Sequence, residues 1–283
     1  MSFMNTYTLE NGVKIPVLGF GTWQIAAGKT AKDAVLAALD AGFSHIDTAE
    51  MYGNEESIGE ALKESGKKRS DLFITSKLDN TAHSYELATK ALDRSLSDLK
   101  TDYLDLFLIH WPNPKAFRDE NWEKHLQETW RALEDAYDAG KVKAIGVSNF
   151  RPKHLEVLEK TQRIKPMVNQ IRICPGDLDL LTIDYCQKHN ILLEAYSPFG
   201  RGEVFSDPTL NALAKKKGHT VGQICLRWSL QNKFLPLPKS VHPDRMKENT
   251  EVFDFELTES EMRQIDALKD IAGHATDPDT ADF

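Results

Sequence analysis

The chain has 283 residues, with 35 Lys+Arg against 43 Asp+Glu and a formal net charge of -8. That length supports a substantial core, and the acidic balance, with a pI near 5.6, argues against a nucleic-acid or anionic-membrane surface. The three cysteines, Cys174, Cys186 and Cys225, form no CxxC and are odd in number, which fits free thiols in a reducing, cytoplasmic compartment.

The first residues, "MSFMNTYTLENGVKIP", lack a basic stretch followed by an apolar run, so no signal peptide is expected. No segment is apolar over the length needed to span a bilayer. "TYTLENGVKIPVL" reads as a hairpin turning at Asn11-Gly12. Short apolar runs then recur at 18–19, 43–47, 73–77, 104–110, 142–148, 167–170, 192–196 and 234–239, each followed by a helix-period stretch. In "TAKDAVLAALDAG" the residues Ala31, Val35, Leu36 and Leu39 share one face and Gly42 ends it; Gly140 and Gly218 sit at comparable helix ends.

Eight strands alternating with eight helices imply parallel βαβ units. An open dinucleotide-binding sheet should carry GxGxxG after its first strand, whereas "GFGTWQ" lacks the third glycine. The expected fold is therefore an α/β (β/α)8 barrel of the TIM type, one domain over 1–283. The N-terminal hairpin precedes it, and an extra helix at 259–268 and a polar tail ending "DPDTADF" follow.

Strand interiors read as apolar, and nearly every strand end is polar: Asp47, Lys77, His110, Ser148-Asn149, Asn169-Gln170, Tyr196-Ser197 and Lys239-Ser240. Singly, Asp47 is a turn-former, Lys77 a snorkelling lysine and His110 a loop residue. Sharing the C-terminal face of one barrel, they make an active site with Tyr52 in the next loop. A phenol near pKa 10 is a weak acid, and a neighbouring ammonium should lower that value toward working pH. Asp47 is expected to hold Lys77, and His110 to donate to a carbonyl oxygen. The hydride must come from a cofactor.

The segments "GFGTWQ", "HIDTAEMYGNEE", "TSKL", "YLDLFLIHWP", "IGVSNF", "VNQ", "AYSPFG" and "LPKSVHPDRMKEN" resemble the aldo-keto reductases in order and spacing along nearly the whole chain. The bacterial branch that includes 2,5-diketo-D-gluconate reductases is the most similar. The resemblance implies a catalytic tetrad of Tyr52, Lys77, Asp47 and His110, and NADPH bound without a Rossmann domain. It places Ser148, Asn149 and Gln170 at the cofactor's carboxamide and Tyr196 on the nicotinamide ring. Ser197, Phe199 and Gly200 fall along the pyrophosphate, Lys239, Ser240, Val241 and Arg245 around the 2′-phosphate, and Glu248 and Asn249 beside the adenine. Lys239 and Arg245 also suit a phosphate by residue type, next to a helix start. Trp23 and Trp111 are expected as substrate walls beside His110.

The chain departs from the family pattern at Asp79, where an aromatic is usual, and at Arg172 and Cys174, positions that read as structural. A Schiff-base lyase through Lys77, a non-catalytic nucleotide sensor and a metalloenzyme are the rival readings. The first wants Lys77 neutral, the second has no need of four tetrad residues, and no spacing here resembles a zinc site. The expected partners are a small carbonyl substrate and no nucleic acid or membrane, with a monomeric chain. The tail from Asp277 is expected to shape the substrate opening, and its removal to cost little stability because few apolar groups are lost.

Overall fold

The computed structural model describes residues 5–283, so the segment read above for a leader lies partly outside the described residues. β1 (Thr6–Thr8) and β2 (Lys14–Pro16) form the antiparallel hairpin, with Tyr7 opposite Ile15. Its turn closes from the Gly12 N–H to the Leu9 carbonyl at 2.9 Å, one residue earlier than expected. Gly12, at φ 88°, is the left-handed residue that follows the turn rather than part of its centre.

The parallel strands then run in chain order around an eight-stranded sheet. They are β3 (Phe20–Gly21), β4 (His45–Asp47), β5 (Phe73–Leu78), β6 (Leu106–Ile109), β7 (Ile145–Ser148), β8 (Val168–Arg172), β9 (Leu192–Tyr196) and β10 (Leu235–Leu237). The first lies two residues beyond its expected place. The helices are α1 (Lys29–Asp40), α2 (Glu55–Glu64), α3 (Tyr85–Asp98), α4 (Trp122–Asp138), α5 (Pro152–Glu159) and α6 (Leu180–Lys188), then α7 (Pro208–Lys217), α8 (Val221–Gln231), α9 (Pro243–Thr250) and the extra α10 (Glu259–Asp266). Between α7 and α8 the chain breaks at Gly218, φ 70°, and restarts on a Thr220–Gln223 capping box.

The barrel nearly closes, and the reason it does so one-sidedly lies in "LPLPK". A strand residue points its N–H and C=O to the same neighbour in a parallel ladder, so Pro236 and Pro238 turn acceptors but no donors toward β3. Gly19 N–H donates to the Pro236 carbonyl at 3.2 Å and Gly21 N–H to the Pro238 carbonyl at 3.0 Å. Half a ladder forms.

The two-residue strand period decides what enters the lumen. Phe73, Leu106, Leu108, Ala144, Val168, Leu235 and Leu237 fill its floor together with Leu9 and Ile15 from the hairpin, which plugs that end. The alternate residues Ile46, Ile74, Phe107, Ile109, Ile145, Val147, Ile171, Leu193 and Ala195 face the helices. One step above the floor the inward positions turn polar. The expectation of apolar strand interiors fails here, because His45, Thr75 and Glu194 are fully buried inside the strands.

Gly146 shows how tightly the lumen is filled. A Cβ at that position would lie 2.6 Å from the Val168 carbonyl oxygen and 2.8 Å from Leu108. Gly146→Ala should therefore destabilise the fold by about 1–3 kcal/mol through overpacking. A urea unfolding midpoint equal to that of the wild type would refute this.

Candidate active site

Asp47 and His45 share the inward face of β4, and Thr75 and Lys77 that of β5, with Asp47 in register with Thr75. Lys77 therefore stands above its partner and bends back to it. Its Nζ donates to Asp47 Oδ1 at 2.7 Å, to the Thr48 carbonyl at 2.9 Å and to the Tyr52 hydroxyl at 3.4 Å. Lys77 is fully buried, so these contacts replace its water. Tyr52 ends a 3-10 turn, Glu50–Tyr52, that Gly53 closes at φ 65°. The His110 ring meets the Tyr52 ring edge-on at 5.6 Å.

Electrostatics assigns each group a protonation state. Burial alone would lower Lys77, but Asp47, Tyr52 and Glu194 outweigh it and hold the ammonium above its ordinary value. Burial, and then Lys77, drives His110 well below the ordinary imidazole range, so it is neutral and carries one N–H. For Tyr52 the outcome reverses the expectation: burial outweighs the lowering by Lys77, and the phenol lies above its ordinary value. Near neutrality Tyr52 is a fully loaded acid.

On the other side of the mouth, Ser148 donates to the Gln170 carbonyl at 2.8 Å. Asn149 takes a left-handed φ of 62° and donates to the His110 carbonyl at 3.0 Å, while Tyr196 donates to its Oδ1 at 2.8 Å. Gln170 reaches across the lumen, donating to Asp47 Oδ2 at 2.8 Å and to Glu194 Oε2 at 2.7 Å. Ser197, at φ 49°, turns the chain out of β9. Gly200 lies against Ala272, which a Cβ would approach to 2.5 Å. The Phe199 ring packs on Phe205 at 5.6 Å, so it serves the wall of this loop.

Beyond β10, Lys239, Val241 and Arg245 are exposed, and neither cation makes an ion pair among the described residues. Ser240 Oγ accepts from the His242 N–H at 3.0 Å and shapes the turn into α9. Glu248 accepts from Thr220 at 2.7 Å, tying α9 to the start of α8, and Asn249 is buried beside it.

The model of the Aldo/keto reductase family matches residues 17–270. The chain belongs to the aldo/keto reductase family. It is 44% identical over 267 residues to the glyoxal reductase of Bacillus subtilis (strain 168), covering 94% of each chain. It is 42% identical to the 9,11-endoperoxide prostaglandin H2 reductase of Trypanosoma cruzi (strain CL Brener), over 97% of this chain and 95% of that one. The structure of a Bombyx mori aldo-keto reductase in complex with NADP superposes with a TM-score of 0.84 at 36% identity, covering 92% of this chain and 91% of that one.

The positions at which this aldo/keto reductase departs from the family pattern are tied down locally. Asp79 turns into its own loop, its Oδ1 accepting from the Thr81 N–H at 2.8 Å and the Thr81 hydroxyl at 2.7 Å. Arg172 pairs with Asp177 at 2.7 Å and donates to the Ala272 carbonyl, and Cys174 is buried with its thiol pushed up to about 11 by burial. Both positions are structural, as read. Trp23 is partly exposed beneath the Arg201 guanidinium at 5.1 Å, whereas Trp111 is buried.

The tail, expected to cost little stability on removal, is tied to the barrel by several contacts. Phe283 meets Trp111 edge-on at 4.8 Å, and its carbonyl accepts from the Lys115 N–H at 2.8 Å. Arg118 donates to the Ala281 carbonyl at 3.0 Å and Arg151 to Asp277 at 2.9 Å. Asp279 takes Lys153 at 2.6 Å and His154 at 3.1 Å. Polar anchors hold what apolar content does not. Burial would raise Asp279, but Lys153 and His154 hold it down at about 2. Its contribution is therefore complete above the unfolded value of 3.8 and is lost as pH falls through about 2. Deleting residues 277–283 should cost about 1–2 kcal/mol, allowing for solvent screening of these ion pairs, and lower Tm by roughly 2–6 °C at neutral pH. An unchanged melting curve would return the tail to a frayed end.

Proposed function

We propose that the protein reduces the carbonyl group of aldehydes or ketones to an alcohol with NADPH, Tyr52 giving the proton. The single observation that carries this reading is the Tyr52 hydroxyl 3.4 Å from a buried Lys77 ammonium that Asp47 grips at 2.7 Å, beside a neutral His110. The enzyme is an NADP-dependent oxidoreductase.

The donor set suits that cofactor. Ser148, Asn149 and Gln170 present hydroxyl and amide groups to a carboxamide, Tyr196 offers a ring face, and Ser197, Phe199 and Gly200 line the pyrophosphate path. Lys239 and Arg245, without ion pairs among the described residues, suit a 2′-phosphate, with Ser240, Val241, Glu248 and Asn249 around the adenosine. Bound NADPH supplies the hydride. Asp47 keeps Lys77 charged, Lys77 stabilises the phenolate that Tyr52 becomes as it gives up its proton, and His110 orients the carbonyl oxygen through its N–H. The charged Lys77 speaks against a Schiff-base lyase.

We assign Trp23 and Trp111 as walls of the substrate opening, with Phe283 packed on Trp111 and Asp79 bonded within its own loop. The relatives at 44% and 42% identity bear different substrate names, so identity at this level does not select a substrate. We place the enzyme with the bacterial branch that includes 2,5-diketo-D-gluconate reductases, acting as a single-domain monomer. The buried free thiols of Cys174, Cys186 and Cys225 fit a cytoplasmic location.

Tyr52→Phe should lower carbonyl reduction by at least about 10²-fold while NADPH still binds; near-wild-type turnover by this variant would sink the assignment. Arg245→Ala should weaken NADPH binding about tenfold or more and leave NADH nearly unaffected. Fluorescence titration of both cofactors decides it, since an equal loss for each would make Arg245 structural.

A further inference from the structure

Glu194 lies inside β9, fully buried, with its side chain in the lumen two residues before Tyr196. The groups facing it come from four strands: Asp47 and His45 on β4, Lys77 and Thr75 on β5, Gln170 on β8, and Leu235 alongside on β10. Its Oε2 accepts from Gln170 Nε2 at 2.7 Å, and the same nitrogen donates to Asp47 Oδ2 at 2.8 Å. An amide nitrogen has two hydrogens. Both are used, so the carbonyl oxygen is the side-chain atom that Gln170 has left to offer. Reversing the amide would set that oxygen against the Asp47 carboxylate.

One ammonium serves both of those carboxyl groups, because His45 is held neutral by burial and by Lys77. Burial, and then Asp47, raises Glu194 well above the ordinary carboxylate range, so the lumen holds one ion pair and one neutral acid. Glu194 Oε1 has no hydrogen-bond partner among the described residues, and His45 Nε2 lies 4.0 Å from it, bound instead to Thr75 at 2.9 Å.

We propose that Glu194 is a positioning residue for cofactor binding and proton transfer: its carboxyl oxygen takes one of the two Gln170 amide hydrogens and so fixes the amide oxygen toward the nicotinamide carboxamide, while Asp47 and Tyr52 hold the Lys77 ammonium. This rests on reading Gln170 as a carboxamide ligand and Tyr52 as the acid. Ionised, Glu194 would compete for Lys77 and weaken its support of the Tyr52 phenolate.

The test compares Glu194→Gln, Glu194→Met and Gln170→Ala with the wild type. NADPH and adenosine 2′,5′-bisphosphate, which lacks the nicotinamide half, are titrated separately without turnover. Glu194→Met, which removes the acceptor, should weaken NADPH about fivefold with the bisphosphate unchanged. Glu194→Gln, which keeps an acceptor, should hold NADPH within about twofold. In alcohol oxidation, where Tyr52 must be ionised, Glu194→Gln, neutral like the wild-type carboxyl group, should leave the rising limb of the pH profile in place. Wild-type NADPH affinity in Glu194→Met, or a Glu194→Gln profile shifted from the wild type, overturns the proposal. Should the Met variant not fold, the Gln profile still decides. Normal NADPH binding by Gln170→Ala would instead remove the carboxamide reading, and turnover by Tyr52→Phe the acid. Neither result resembles a failure of Glu194 alone.

Discussion

A lysine ammonium buried inside a barrel must be neutralised where it stands, and the lumen of this protein is arranged around that requirement. Moving such a charge out of water costs several kcal/mol even after relaxation. Lys77 meets the cost with the Asp47 carboxylate, the Thr48 carbonyl and the Tyr52 hydroxyl. The second oxygen of Asp47 is then free to accept from Gln170, which extends the network from β4 to β8 and on to Glu194 of β9. A cluster of this kind tolerates one ion pair. Burial comes first in shifting His45, His110 and Glu194 toward their neutral forms, reinforced by Lys77 for the two histidines and by Asp47 for Glu194.

The same constraint separates the chemistry from its surroundings. Asp47, Lys77 and Gln170 sit on strands whose floor is packed by Leu106, Leu108, Val168 and Leu237 with the hairpin residues Leu9 and Ile15 beneath. Positions built on packed strands hold their geometry better than positions on loops. Around the mouth the polypeptide is irregular, yet polar contacts pin it. Arg172, a departure from the family pattern, joins the top of β8 to Asp177 and the Ala272 carbonyl, and Ala272 in turn abuts Gly200. Asp279 does the same for the tail at α5. These bonds couple the tail and the loop after β9 to the strand ends without placing either in the lumen.

Much of this was legible in the sequence because its signals are local. Apolar runs punctuated by glycine-ended amphipathic helices announce an alternating α/β chain, and polar residues at Asp47, Lys77 and His110 mark one face of a barrel. The type and order of the elements depend on such neighbours, so they survive the loss of three-dimensional information. Even Glu194 left a trace, a carboxylate inside "LLEAY" at the parity of Tyr196, although only the closed barrel tells which parity is inward.

Tertiary structure decided whatever depends on groups far apart in the chain. The Tyr52 phenol is raised rather than lowered because burial, which needs the whole fold, outweighs a single neighbouring charge. Gln170 spends its donors on residues 123 and 24 positions away. The tail looked loose because it is poor in apolar residues, and it is held by basic side chains of α5 and the loop after β6 that composition cannot pair with it. Periodicity within one segment is written in the sequence, whereas desolvation and hydrogen-bond partnership are properties of the space that several segments enclose.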